Sequence, residues 1–149
     1  MKAAFRLLHF RPRSVKELST RLQKKFGEEA SRTVIQELQE KKLLDDYAFS
    51  RFWIENRVQF RPMGKQLLVR ELLAKGVAKE VIQEALDRVL SENEREMAEK
   101  VLTVRRKRMN PKDPNNYSKM YSFLRRRGFA HELVSELLES DAPESYDSE

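Results

Sequence analysis

Two adjacent carboxylates, Asp45 and Asp46, are the residues of this chain best suited by type and spacing to hold a metal ion. Such a pair could support metal-dependent phosphodiester cleavage. The pair also directly precedes Tyr47 and Phe49, where an aspartate can cap a helix and interact favourably with its dipole. We favour the capping interpretation and keep an Asp-dependent nuclease as a minor alternative.

Other groups capable of catalysis are few. The chain has no cysteine, and its two histidines, His9 and His131, are far apart in the sequence. Disulfides and thiolate metal sites are therefore excluded, and no glycine-rich phosphate loop is present. Trp53 lies at helical spacing from Phe49 and is interpreted as a core residue rather than a base-stacking platform. The sequence predicts no catalytic residue, no metal site and no cofactor site.

Basic side chains are the better functional candidates. From Lys100 to Gly128 there are 10 basic residues and one acidic residue, Asp113. On a helical wheel, most of these cations fall outside the apolar stripes, while Arg105 falls on a stripe and is expected to snorkel. The predicted partner-binding face consists of Lys100, Arg106, Lys107, Lys119, Arg125, Arg126 and Arg127.

The overall charge supports this choice. The net charge is +6, but five acidic residues and no basic ones lie in the last eleven positions, 139–149, so the rest of the chain carries +11. A cationic body favours an anionic partner, either nucleic acid or an acidic protein surface. Charge alone does not choose between the two.

Helices must position these residues. The composition, with 4 Gly and 36% charged residues, is typical of an all-α protein. The tetrapeptide VIQE occurs at 34–37 and again at 81–84, and Leu18 and Leu22 align with Leu68 and Leu72. Aligning these with Met120 and Leu124 gives three segments of similar length. Each segment has three apolar-periodic stretches and predicts three short helices.

The ends of several helices can also be predicted. Ser14 with Glu17, and Ser91 with Glu94, have the form of a capping box. Gly76 and Gly128, each followed by an apolar residue, predict Schellman-type helix ends. Three residues are predicted to interrupt the helices before them: Pro12, Pro62 and Gly64. Asp113 is predicted as an N-cap, followed by Pro114 at the first helical position. Three extra residues between Phe26 and Val34 predict a different and longer inter-helix turn in the first segment.

The resulting architecture is all-α, with three tandem three-helix repeats at 1–44, 45–90 and 91–140. Units of this size bury little apolar surface alone, so we expect them to stack into an elongated, curved array. The acidic tail, residues 141–149, is expected to be disordered. No apolar stretch is long enough for a signal core or a membrane span, and a cytoplasmic monomer is expected.

The stretch FLRRRGF, at 123–129, contains three consecutive arginines. Aligned on the glycine, Arg127 corresponds to Lys75, which explains one cation as the stabilising charge at a helix C-terminus. Arg125 and Arg126 replace Leu73 and Ala74, and we expect the helix end to require neither. Arg126 is the first of the three to mutate.

Five motifs in this order and spacing resemble the RecX family, bacterial regulators of the RecA recombinase. The resemblance runs from about Ala4 to Leu138. Its motifs are RPRSVKEL, RLQKKFG, KLLDDYAFSRFWIENR, MGKQLLVRELLAKGV and FLRRRGF. The turn near Gly27 and the acidic tail depart from the family pattern.

The resemblance implies a modular, non-catalytic protein that binds the RecA–DNA filament along its helical groove. It implies that ATP hydrolysis, strand exchange and co-protease activity of the filament are lowered, and so a role in DNA repair and the SOS response. Direct DNA contact is a possible part of this binding. The alternative from the residues themselves is a free-standing DNA-binding regulator or architectural protein that acts without RecA.

Overall fold

The structure is a computed structural model that describes residues 1–90 and 94–140. Within these ranges the fold is all-helical, as the sequence predicts, and the helices follow one another in three groups of three. The helices are α1 (Lys2–Phe10), α2 (Val15–Phe26), α3 (Glu28–Glu40), α4 (Asp46–Phe60), α5 (Lys65–Ala74), α6 (Lys79–Leu90), α7 (Glu94–Arg106), α8 (Asn116–Arg126) and α9 (His131–Ser140). In this part of the chain, none of the helices is long and apolar enough to cross a bilayer.

Several predicted helix ends are confirmed. Ser14 and Glu17 form a complete capping box at the start of α2. Gly76 has a φ of 80°, and the Val77 amide donates to the Leu72 carbonyl, as in a Schellman motif. Gly128 ends α8 with the same left-handed geometry. The second predicted capping box includes Ser91 and lies outside the described residues, as do residues 141–149.

Two boundaries differ from the prediction. Helix α8 begins at Asn116, so Asp113 is not its N-cap; Asp113 instead accepts the Asn115 amide within the preceding turn. The extra residues of the first unit do not lengthen a turn. They extend the helices, because Gly27 alone separates α2 from α3. An apolar pattern indicates a helix, but it does not show which flanking polar residues join it.

The apolar residues form two separate clusters. The first belongs to α1–α3 and the segment after α3, and consists of Ala4, Leu18, Leu22, Ile35, Leu38 and Leu44. The second runs continuously through α4–α9, from Phe49 to Leu138, with Phe129 fully buried in it. The predicted stripe of α8 is buried at Leu124, whereas Tyr117 at its other end is 51% exposed. The second and third units therefore share one core, and the first has its own.

The contact between the first and second units, here the first junction, is made by two helix starts and one helix end. The Ser14 hydroxyl donates to the Lys75 carbonyl at 2.6 Å, where α5 ends. The Val15 amide donates to Oδ1 of Asp46 at 2.8 Å, where α4 starts. Helix α2 thus begins against the second unit, and its otherwise unpaired first amide finds an acceptor there.

The second junction, between the second and third units, repeats this arrangement one unit later. The Gly64 amide donates to the Arg127 carbonyl at 2.7 Å, where α8 ends. The Lys65 amide donates to Oε1 of Glu94 at 3.1 Å, where α7 starts. The residues paired at the two junctions occupy equivalent positions of the repeat, so one docking geometry joins all three units.

Candidate partner-binding surface

The paired carboxylates have structural partners. Asp45 caps α4, its Oδ1 accepting the amides of Tyr47 and Ala48 at 2.7 and 3.2 Å. Asp46 faces the first junction, where burial and the charge of Asp45 raise its pKa although the Val15 amide opposes the shift. Among the described residues, no group of three or more histidines or carboxylates could hold a metal ion. The capping interpretation accounts for Asp45, and docking accounts for Asp46.

The aromatic and imidazole side chains that could have been functional are also engaged. Trp53 is half-buried against the shared core, and its Nε1 donates to Glu71 at 2.7 Å. The Arg57 guanidinium and the Lys75 ammonium lie 4.6 and 5.1 Å from its ring centroid. His131 shares a 2.6 Å hydrogen bond with the Tyr121 hydroxyl. Trp53 is therefore no exposed stacking platform.

Arg125 and Arg127 belong to the second junction as much as to the predicted face. Arg127 donates to the Pro62 carbonyl at 3.2 Å, and its guanidinium lies 5.2 Å from the Phe123 ring centroid. Arg125 donates to the Phe129 carbonyl at 2.9 Å and to Gln66 at 3.2 Å. The helix end therefore does use Arg125, because its side chain ties the residues after the glycine to α8 and α5.

Lys119 lies on the exposed side of α8, as expected, but it is paired. Its ammonium contacts Asp113, the acidic residue of this basic stretch, at 2.5 Å. The hydrogen bond from Lys119, together with that from the Asn115 amide, lowers the pKa of Asp113. Charge reversal at Lys119 would therefore also disturb the turn before α8.

The remaining predicted residues, Lys100, Arg106, Lys107 and Arg126, are all exposed. In the described part of the chain, the Arg126 side chain makes no hydrogen bond or ion pair. Its position on α8 gives a partner an accessible charge that the fold does not use. That the seven predicted residues bind a partner stays a prediction.

The structure also brings together cations that the sequence analysis left out. A cleft of about 400 Å³ lies between the end of α4 and the facing sides of α7 and α8. Lys100 and Arg127 of the predicted face line it together with Arg61, Arg105 and Arg108. Arg61 comes from the second unit and was missed because only the docked units place it beside the third. One signal was available: the tripeptide FRP occurs at 10–12 and again at 60–62.

Two family models match the first and second units of the chain. The model described as "RecX, first three-helix domain" matches residues 1–38, and "RecX, second three-helix domain" matches residues 45–86. These ranges cover α1 to α3 and α4 to α6 except for the final residues of α3 and α6.

Whole-chain relatives agree. The "Regulatory protein RecX" of Amycolatopsis mediterranei is 30% identical over 145 residues, covering 94% of this chain and 81% of that protein. The "Regulatory protein RecX" of Mycolicibacterium smegmatis is 34% identical over 140 residues, covering 87% and 74%. The crystal structure of RecX from Lactobacillus salivarius shares the fold, with a TM-score of 0.79 at 17% identity over 93% of this chain and 92% of that one. The motifs, the three-helix units and these relatives lead to one conclusion: the chain belongs to the RecX family of regulatory proteins.

Proposed function

We propose that this chain is a non-catalytic regulator that binds the RecA–DNA nucleoprotein filament and lowers its ATPase, strand-exchange and co-protease activities. The proposal includes a cytoplasmic monomer of three units, at 1–44, 45–90 and 91–140, lying along the groove of the filament. Bridging or occupying the groove would inhibit without any chemical step. A protein of this kind would act in DNA repair and the SOS response.

The observation that carries the proposal is the exposed cationic surface of the third unit. Between Lys100 and Gly128 the single acidic residue, Asp113, is already paired with Lys119. The other cations are therefore not neutralised by acidic residues of their own segment. A surface of this kind attracts phosphates and acidic protein faces, and the attraction weakens as salt screens it.

Arg126→Glu tests this surface most cleanly, because the side chain is exposed and makes no bond that the fold needs. We expect the variant to inhibit the DNA-dependent ATPase of RecA filaments less than the parent chain does at equal concentration. Arg70→Glu makes the same charge change at an exposed position on α5 and serves as the control. Equal inhibition by the Arg126 variant and the parent would remove the outer face of α8 from the proposal. If the parent chain itself neither binds the filaments nor changes their ATPase at near-stoichiometric ratios, the proposed function is wrong.

A free-standing DNA-binding regulator is the second candidate, favoured by the +11 charge outside the last eleven residues. It predicts tight DNA binding in the absence of RecA, with an affinity that falls steeply as salt rises. Fluorescence anisotropy with labelled DNA at several salt concentrations measures both. Weak binding that does not respond to salt would count against this candidate.

A further inference from the structure

The cleft between the second and third units combines an apolar floor with exposed apolar walls. Val101 lies at its base and is 9% exposed. Phe60, the last residue of α4, is 72% exposed, and Val104 on α7 is 56% exposed. Large apolar side chains left in water at the mouth of a concavity favour a ligand that covers them.

Two of the cations around this cleft are held in place. The guanidinium groups of Arg105 and Arg127 lie 4.8 and 5.2 Å from the centroid of the Phe123 ring. Arg127 is also fixed by its hydrogen bond to the Pro62 carbonyl. A guanidinium that is already oriented loses less conformational freedom when it pairs with a carboxylate or a phosphate. The residues that line the cleft include no acid, so its charge is uncompensated from within.

The charge around the cleft differs from the charge at the equivalent place of the first junction. The first junction carries the same FRP tripeptide, and Phe10 is 82% exposed. There, however, Arg11 is paired with Glu17 at 2.7 Å. The repeat position of Glu17 is occupied by Leu67 in the second unit, and in the described part of the chain Arg61 has no carboxylate within ion-pair distance. The arginine of the FRP tripeptide is thus neutralised at the first junction and left without a carboxylate partner at the second.

The shape of the cleft favours a peptide over a nucleic acid strand. Single-strand binders stack successive bases on several exposed aromatic rings along a basic groove. Here one highly exposed ring, Phe60, stands beside aliphatic side chains in a single concavity. One apolar pocket with cations around it suits one bulky apolar side chain flanked by carboxylates.

We propose that this cleft binds an acidic peptide segment of a partner protein, with one aromatic or large aliphatic side chain of that segment seated between Phe60 and Val104. The flanking carboxylates pair with Arg61, Arg105 and Arg108. The inference rests on the proposed function for the existence of a protein partner, and on the cleft for its chemistry. It assigns a protein contact to the second junction, separate from Arg126 on the outer face of α8.

The test uses the full chain and a labelled ten-residue peptide that has one central Trp flanked by Asp and Glu on both sides. Fluorescence anisotropy measures its dissociation constant. In one companion peptide Asn and Gln replace the acids, and in the other Ser replaces the Trp. We expect each companion to bind about tenfold or more weakly, because each lacks one half of the recognition. A ten-nucleotide oligo-dT probe represents the competing class of ligand.

Variants then locate the binding. Phe60→Ala and Arg61→Glu are expected to weaken binding of the acidic Trp peptide about tenfold each. Phe10→Ala and Arg6→Glu make the same changes beside the first junction and are expected to alter it less than about twofold. All four positions are exposed, and far-UV circular dichroism with thermal unfolding confirms that each variant folds.

Two results from these variants would overturn the inference. One is peptide binding that is unchanged in the Phe60 and Arg61 variants. The other is oligo-dT binding that is tighter than peptide binding and is lost in the same variants, which would make the cleft a nucleic acid site. The filament ATPase assay separates this inference from the proposed function. Filament inhibition without peptide binding would refute the cleft alone, and peptide binding without any effect on filaments would refute the proposed function alone.

Discussion

The two junctions join their units by the same backbone geometry but fill the contact with different side chains. At the first, a buried serine hydroxyl bonds to Lys75, and Glu17 pairs with both Lys75 and Arg11. At the second, Gly64 brings backbone against backbone, and the apolar cores on either side merge. Helix-end docking therefore fixes the orientation of a unit, whereas the side chains at that contact decide whether neighbouring units share a core.

A difference in cooperativity follows. Burial of apolar surface is the main favourable term in folding, so the second and third units are stabilised together. The first unit has a small cluster of its own and is attached by hydrogen bonds and ion pairs of modest net energy. We expect the first unit to open at lower free energy than the rest.

The largest expected effect comes from Gly64→Ala. The backbone of Gly64 is extended, so alanine is locally compatible, but its Cβ would lie 2.5 Å from the Phe129 amide nitrogen. The third unit must move away, and we expect a loss of about 3 kcal/mol in the free energy of unfolding. Urea denaturation followed by circular dichroism measures it. An unchanged midpoint would show that the second junction is looser than the structure indicates.

Ser14→Ala places the same residue at the equivalent position of the first junction. It adds no atom and removes the hydroxyl that donates to the Lys75 carbonyl and accepts the Glu17 amide. We expect a loss of about 1–2 kcal/mol, smaller than that of Gly64→Ala. Urea denaturation followed by circular dichroism measures this loss as well. If Ser14→Ala proved the more damaging of the two, the contrast between the junctions would be wrong.

Two neighbouring arginines differ in their contacts at the second junction. The variants Arg127→Ala and Arg126→Ala compare them. Arg127 bonds to Pro62 and lies over Phe123, so its truncation should cost about 1 kcal/mol. Arg126 is exposed, and its truncation should change stability by less than about 0.5 kcal/mol. Thermal unfolding of both variants measures the two changes in stability. Equal losses of stability in the two variants would mean that the contacts of Arg127 with Pro62 and Phe123 do not stabilise the fold.

The smallest effect concerns pH and only the first junction. Burial raises the pKa of Glu17, but hydrogen bonds from Arg11 and the Ser14 amide and the charge of Lys75 outweigh burial and lower it. Its stabilising contribution is therefore complete above the ordinary value of 4.5 and is lost as pH falls through the lower folded value.

Glu17→Gln removes this dependence. The parent should be more stable than the variant at pH 7, by less than about 1 kcal/mol, and the difference should close towards pH 3. Asp46 has a raised pKa, and its contribution changes in the opposite sense, being lost as pH rises through that value. Because Asp46 is present in both proteins, the difference in melting temperature between them isolates Glu17. A difference that stays constant with pH would contradict the prediction.

Local signals in the sequence predicted local structure well. The capping box at Ser14 and the left-handed glycines Gly76 and Gly128 were identified because each depends on neighbours within a few residues. Sequence alignment of the repeats did not reveal that the Arg127 carbonyl meets Gly64, more than sixty positions away. The hydrogen bond from Arg125 to Gln66 was missed for the same reason, as was the cleft beside Arg61. Contacts between units depend on how helices dock, and periodicity within a helix does not encode that.

Among the described residues, the repeated docking geometry is not used at either end of the array of three units. At one end, Phe26 stands in the position of Gly76 and Gly128 and is still helical, and the positive φ of 84° falls one residue later, at Gly27. At the other end, Asn116 stands in the position of Ser14 and Gly64, and its amide already donates to the Asp113 carbonyl at 3.2 Å. Neither position therefore repeats the backbone that meets a neighbour at the two junctions, and another copy of the chain would find a different contact there.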